Sequence, residues 1–164
     1  VTSVTVNTFA ESAALFPGMP ATTSQAQYSL PFALAVMLVH GRIGPNEITG
    51  AGLNDPQVSA LLPRISVHEA ARHSERFPEG RWSDVTVELK DGRRLASGDV
   101  NARGGPEAPM DMHEVEAKFH IMAAALSGAR RRAIWEMREQ LMQPEVKFEE
   151  LARLVRAPME EPHA

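Results

Sequence analysis

The sequence predicts an α+β fold: a small, mainly antiparallel sheet with helices packed on one face as a two-layer sandwich, and further helices at the C-terminal end. Three observations point to it. Val85, Val87 and Leu89 alternate with Thr86, Glu88 and Lys90 and run into Asp91-Gly92, the pattern of a half-buried hairpin. From Leu30 to Val39 every residue except Pro31 is apolar or aromatic all around the helical wheel, the pattern of a buried helix. After Asp111 three helical stretches follow one another.

The elements follow in order. Val4, Val6 and Thr8 alternate with Thr5, Asn7 and Phe9, so residues 2–9 form a half-buried strand. Residues 10–16 add a helical turn before the Pro17-Gly18-Met19-Pro20 loop. The core helix then takes one of two forms. Either Ser29 N-caps a helix with Pro31 in its first turn, or one helix runs from Ser24 to His40 with a kink at Pro31. Gly41 is the natural residue to end it. A short helix is expected near Glu47 to Thr49. Asp55-Pro56 reads as N-cap and N1 proline of a helix over Gln57 to Leu62 that stops at Pro63.

Arg64 to His68 is a short strand with Ile65 and Val67 on one face, and residues 69–82 lose periodicity and read as a loop with an exposed turn at Phe77 to Gly80. Asp91-Gly92 suits a two-residue type I′ turn. Residues 101–109, with two glycines and two prolines, are a long connection. Asp111 with Glu114 makes a capping box for a helix that places Val115, Phe119, Met122 and Leu126 on one face until Ser127-Gly128. A second helix carries Ile134, Met137 and Leu141 and ends at Pro144, a third spans Lys147 to Arg156, and residues 157–164 form a frayed tail. The expected division is one domain over 1–126 and a helical extension with a tail over 127–164.

Composition narrows the function classes. The chain has 164 residues, 43% of them hydrophobic, enough for one core. A net charge of −4 gives no electrostatic reason for nucleic acid or an anionic membrane as partner. The ten-residue apolar run falls far short of the ~20 that span a bilayer. Without cysteine, disulfides, thiolate zinc sites and iron–sulfur clusters are excluded for this chain, and a cytoplasmic location is expected. Val1 to Val6 lacks the basic start and apolar stretch of a signal peptide and reads as a strand already in progress, so the chain is expected to begin inside a longer protein.

The sequence contains no G-x-S-x-G, phosphate-binding loop or G-x-G-x-x-G. His68-Glu69-Ala70-Ala71-Arg72-His73 misses the H-E-x-x-H zinc spacing by one residue, which turns the second ring ~140° from the first, and both histidines are expected to be solvated loop residues. His113 and His120 lie two turns apart, too far to share an ion unaided. His40 at the end of the core helix suits the last carbonyls and the negative end of the dipole. Arg130-Arg131-Arg132 reads as a solvated helix face. Gln25, Gln27, Tyr28 and Ser29 stand at the core-helix entrance, where donors and the positive helix end suit either an anion or simple capping. Arg103-Gly104-Gly105-Pro106 can hold a carboxylate bidentately with close backbone approach, or serve as a flexible connector.

The block A-Q-Y-S-L-P-F-A-L-A-x-x-L-x-x-G from Ala26 to Gly41 resembles a helix of the MmgE/PrpD family of 2-methylcitrate dehydratase-like proteins. In the same order the resemblance takes in the opening strand, Pro20-Ala21-Thr22, Asp55-Pro56-Gln57-Val58, Asp91-Gly92, Pro109 and Glu116-Ala117-Lys118-Phe119, so that it covers about residues 2–126. It implies the C-terminal domain of a longer protein with a helical N-terminal domain. Family enzymes transfer protons beside a carboxylate of small polycarboxylates without metal or organic cofactor, in a site between the two domains. The acidic, histidine and lysine participants belong to the N-terminal domain. Decarboxylase-type members offer a tyrosine from the core-helix block, and Phe32 takes that position here.

The resulting expectation is one wall of a polycarboxylate site, with Gln27, Tyr28, Ser29 and Arg103 facing the substrate and Phe32 shaping the pocket. No catalytic residue or metal ligand is assigned, the parent is expected to be a lyase or epimerase, and this stretch alone is expected to be inactive. The implied partners are the polycarboxylate, the helical N-terminal domain and a second copy in a homodimer. The alternative is a non-catalytic small-molecule-binding or dimerisation module.

Overall fold

The computed structural model describes residues 1–145 and 147–158 and divides into two compact units, 1–109 and 110–164. Among the described residues no helix is long and apolar enough to cross a membrane. The first unit holds a mostly antiparallel sheet of β1 (Ser3–Thr8), β2 (Ile65–Glu69), β3 (Trp82–Glu88), β4 (Arg94–Ala96) and β5 (Val100–Asn101). The path is β2-β1-β3-β4, with β5 also against β3, and only β1 and β2 run parallel. The α+β expectation holds.

Register gives the sheet two characters. Val4, Val6 and Thr8 lie opposite Val87, Val85 and Ser83 and are buried, as alternation requires. On the other face Thr5 and Asn7 lie opposite Thr86 and Asp84, a polar set.

The core helix resolves into two. Thr22 caps α2 (Thr23–Gln27), and Ser29 caps α3 (Leu30–His40) by accepting from the Phe32 N–H at 3.3 Å. Pro31 sits in the first turn of α3, where its missing N–H breaks no helical bond. Gly41 closes α3 at φ 68°, and its N–H donates to the Met37 carbonyl. Ala26, Phe32, Ala35, Val36, Val58 and Leu62 form the apolar cluster, joined by Ile65 of β2 and by Ile48 and Leu53. The cover is one-sided: Met37 and Leu38 are 43% and 40% exposed, so a run apolar all round is packed on one side only.

Asp55 caps α4 (Pro56–Leu61) as expected. The short helix forms at Gly50–Asn54, later than expected and of 3-10 type. The hairpin closes differently. The Gly92 N–H donates to the Leu89 carbonyl and the Leu89 N–H to the Arg93 carbonyl, with Gly92 at φ 84° and no other residue of the turn at positive φ. A type I′ turn would need Asp91 at positive φ. The chain instead makes a three-residue loop with glycine as the left-handed bulge. The expected loop over 69–82 contains a single helical turn, α5 (Ala71–Ser74), whose Ser74 hydroxyl accepts from the Ala10 N–H at the start of α1 (Ala10–Ala13) at 3.1 Å.

The second unit is α6 (Met112–Met122), α7 (Gly128–Gln140) and α8 (Phe148–Arg156), with the Asp111 and Glu114 capping box formed. Its burial departs from the periodicity. On the expected stripe Phe119 stacks near Trp135 at 5.3 Å, whereas Val115 and Met122 are exposed and Leu126 lies beyond the helix. Of the Arg130 to Arg132 run, Arg132 is solvated as expected, and the first two are not: Arg131 is half-buried and donates to the His120 carbonyl at 3.0 Å. Arg130 is buried and donates to the carbonyls of Leu154, Val155, Ala157 and Pro158, because the end of α8 offers carbonyls with no helical partner. Of the expected tail, residues 159–164 lie outside the described residues.

Candidate functional site

Two places in the first unit combine polar chemistry with enclosure. The first is a cavity of about 440 Å³ between the Pro78–Arg81 turn and the loop from Asn101 to Glu107. Its walls are joined by backbone geometry: the Arg81 N–H donates to Asn101 Oδ1 at 3.0 Å, and the Ala102 N–H to the Arg81 carbonyl at 3.0 Å. Gly104 stands at φ 97° and donates to the Ala108 carbonyl, so glycine is what lets this loop fold back. Arg81 and Arg103 both line the space, with Glu79 and Glu107. Arg81 also lies over the Phe77 ring at 5.8 Å.

The second place lies at the end of the polar sheet face. His73 on α5 is wholly buried and its Nε2 is 2.9 Å from Asp84 Oδ2 and 3.9 Å from Asp99 Oδ1. Arg72 pairs with Asp84 and approaches Asp99 at 3.6 Å. Arg76 donates to Asp99 at 2.9 Å and lies over the Trp82 ring at 4.8 Å. Asn7 donates to the second oxygen of Asp84 at 2.9 Å. Burial works against the Asp84 carboxylate, and the hydrogen bonds from His73 and Asn7 with the charge of Arg72 outweigh it, so its pKa is lowered.

His73, Asp84 and Asp99 bring ligand-type atoms within 4.8 Å of one another. Two guanidiniums balance the two carboxylates, so the set has no surplus negative charge for a divalent ion. It is an ion-pair network. The histidine expectation is thus corrected at one position: His68 is exposed on β2, while His73 is enclosed because α5 turns its ring against β3. His73 Nδ1 has no hydrogen-bond partner.

The remaining predicted positions separate into two groups. Gln27 and Tyr28 are exposed at the α2–α3 junction, Tyr28 by 62%. Ser29 and Phe32 are buried there, one as the α3 cap and the other in the apolar cluster. Arg103 lines the 440 Å³ cavity, to which none of the other four contributes. His40 does not lie on the last carbonyls of α3. Its Nε2 meets Asp55 Oδ2 at 2.9 Å, since the α4 cap places a carboxylate within reach. The Gln57 backbone N–H, with those of Val58 and the His40 ring, holds the Asp55 carboxyl below its ordinary value against a smaller burial effect.

The network was not foreseen from sequence. Arg72 and Arg76 at i, i+4 were the available signal, but their partners are 12 and 23 residues away and Asp84 sits at an outward strand position.

Comparison with known proteins bears on what these places serve. The family model described as the MmgE/PrpD C-terminal domain matches residues 1–143. A 78-residue stretch is 30% identical to 2-methylcitrate dehydratase, mitochondrial, of Yarrowia lipolytica, covering 45% of this chain and 15% of that protein. The match therefore spans a small part of that relative's length.

Proposed function

Since the chain belongs to the MmgE/PrpD family, as its C-terminal domain and related to 2-methylcitrate dehydratase, we propose that it forms one wall of a polycarboxylate-binding active site in a larger lyase or epimerase. The observation that carries this reading is the cavity between Arg81 and Arg103. Its volume of about 440 Å³ falls within the ~300–1,000 Å³ of small-molecule sites. A guanidinium matches a carboxylate bidentately, and Arg81 and Arg103 supply two of them; Glu79 and Glu107 share the lining, so the fit rests on this bidentate geometry and not on a surplus of positive charge.

Dehydration of a citrate-like acid removes a proton from carbon beside a carboxylate, which builds further negative charge on that carboxylate in the transition state, and the neighbouring C–O bond then breaks as an acid protonates the hydroxyl and water leaves. Cationic groups fixed in place before the reaction stabilise that charge. In this reading the arginines of the present chain hold and polarise the carboxylates, while the acid and base that move the proton come from another domain of the same protein. The exposed Met37 and Leu38 on α3, together with Tyr28, suit cover by that domain.

The test is Arg103→Ala in the full-length protein. Loss of one charge-assisted pair, about 1.5–3 kcal/mol, predicts an apparent affinity for 2-methylcitrate at least ~10-fold weaker. Unchanged turnover and unchanged affinity would remove Arg103 from the site. A second reading, an assembly module, is favoured by Ile121 and Met122 of α6 and by Phe148 and Val155 of α8, which stay exposed. Citrate binding by the full-length protein separates the two, because a homodimer is expected on either reading and an assembly module leaves citrate binding indifferent to Arg103→Ala.

A further inference from the structure

We infer that Arg76 and Asp99 are positioning residues: their ion pair, added to the β3–β5 ladder that sets Trp82 opposite Asn101, holds the two arms of the cavity together and so places Arg81 and Arg103. The inference rests on the polycarboxylate reading of that cavity for its purpose, but its geometry stands independently. Arg76 lies two residues before Pro78, where the first arm begins, and Asp99 lies two residues before Asn101, where the second begins. Arg76 Nη1 reaches Asp99 Oδ2 at 2.9 Å, so the pair ties the two arms at their roots.

Each end of the tie is itself fixed. The Arg76 guanidinium lies over Trp82 at 4.8 Å. A Cβ on Gly80 would stand 2.4 Å from Trp82 Nε1, so the first arm passes flush against the indole and only glycine fits there. The Gly80 N–H donates to the Arg76 carbonyl at 2.8 Å, which closes the turn onto the same residue. Asp99 is held from the other side by Arg72 at 3.6 Å and by the buried His73 ring at 3.9 Å. Those two groups also grip Asp84 of β3, and Asn7 of β1 anchors Asp84 in turn. The sheet is thus the rigid base, and the ion pair carries its position outward to both arms.

Beyond the tie the arms meet through two hydrogen bonds, Arg81 N–H to Asn101 Oδ1 and Ala102 N–H to the Arg81 carbonyl. These report on the spacing directly. A flexible side chain such as arginine on a loose loop would lose freedom on binding an anion. A loop held at its root loses less, and the affinity is correspondingly higher.

The experiment uses the full-length protein with Arg76→Ala, Arg76→Lys and Asp99→Asn. Amide hydrogen exchange is followed by NMR, with citrate titrated as probe and Arg103→Ala as the binding control. Arg76→Ala is expected to speed exchange at the Arg81 and Ala102 amides at least tenfold while the β1–β3 ladder stays protected. The same variant is expected to weaken citrate binding about tenfold, and Arg76→Lys to recover part of both effects. Unchanged exchange at Arg81 and Ala102 in both Arg76→Ala and Asp99→Asn overturns the tie. Faster exchange with undiminished citrate affinity overturns the positioning role. If citrate moves no cavity resonance in the unsubstituted full-length protein, or Arg103→Ala binds it equally well, the polycarboxylate reading fails instead, and the exchange rates alone decide the tie.

Discussion

Phe32 and His73 are both wholly buried in the first unit, yet they are enclosed by opposite chemistry. Around Phe32 the neighbours are Ala26, Ala35, Val36, Val58 and Leu62, and the contacts have no direction. Around His73 the neighbours are two carboxylates and two guanidiniums whose bonds point along fixed lines. Apolar burial stabilises roughly in proportion to area and tolerates small shifts. An ionic network around a buried ring offsets the desolvation of its enclosed members by internal pairing and tolerates the loss of an enclosed member badly, whereas its outer members Arg72 and Arg76, 52% and 43% exposed, contribute less. The apolar region therefore carries stability, and the ionic region carries position, which is what a cavity two residues beyond it needs.

Substitution can break this contrast. The largest effect is expected for Phe32→Ala, which removes a ring from a closed cluster and should cost about 3–5 kcal/mol in urea unfolding. The loss should be the same at pH 7 and pH 5 and at low and high salt, because no charge touches the site. A strongly salt-dependent loss would show that the two regions are not separate.

Asp84→Ala comes next, at about 1.5–3 kcal/mol, since it leaves His73, Asn7 and Arg72 without their shared acceptor. Here pH should matter, and its sign follows from the lowered pKa. A carboxyl whose pKa is lower folded than unfolded contributes stability that is fully present above the unfolded value of about 3.9. That contribution is lost as pH falls through the folded value. The difference in stability between the parent and Asp84→Ala should accordingly shrink as pH falls below 4. A difference that stays constant down to pH 2 would mean that ionisation of Asp84 adds nothing.

The same contrast explains what could be seen beforehand. The α3 block was legible because ten residues in succession carry the signal, as were the Asp55 and Asp111 caps, whose partners lie two or three residues on. Asp91-Gly92 announced a turn, but not its type, since one glycine serves both the two-residue and the bulged form. His73, Asp84 and Asp99 were not legible as a set. Their grouping depends on the β1–β3 register and on α5 turning back over the sheet end, and neither leaves a local pattern. For the cavity, Arg103-Gly104-Gly105 marked one arm by its glycines, whereas Arg81 on the other stood in a stretch that looked like an ordinary loop. Arg130 shows the same limit in the second unit: a run of three arginines predicts solvent, and only the neighbouring helix end explains why the first is enclosed.

Ser29 gives the smallest expected effect and sharpens the comparison most, because it is a polar side chain buried at the junction that opens α3, amid the apolar region. Its Oγ accepts the Phe32 N–H at 3.3 Å, one of the donors that a helix start leaves without a partner. Ser29→Ala should cost about 1 kcal/mol and Ser29→Thr less, the ordinary scale for an N-cap. No ionisable group takes part, so the cost should follow the apolar region and stay constant with pH, unlike that of Asp84. Ser29 was also expected to face substrate, and the two roles separate cleanly. A cap lowers stability and leaves the citrate titration of the folded chain unchanged, whereas a substrate contact weakens citrate binding in Ser29→Ala beyond what Ser29→Thr restores.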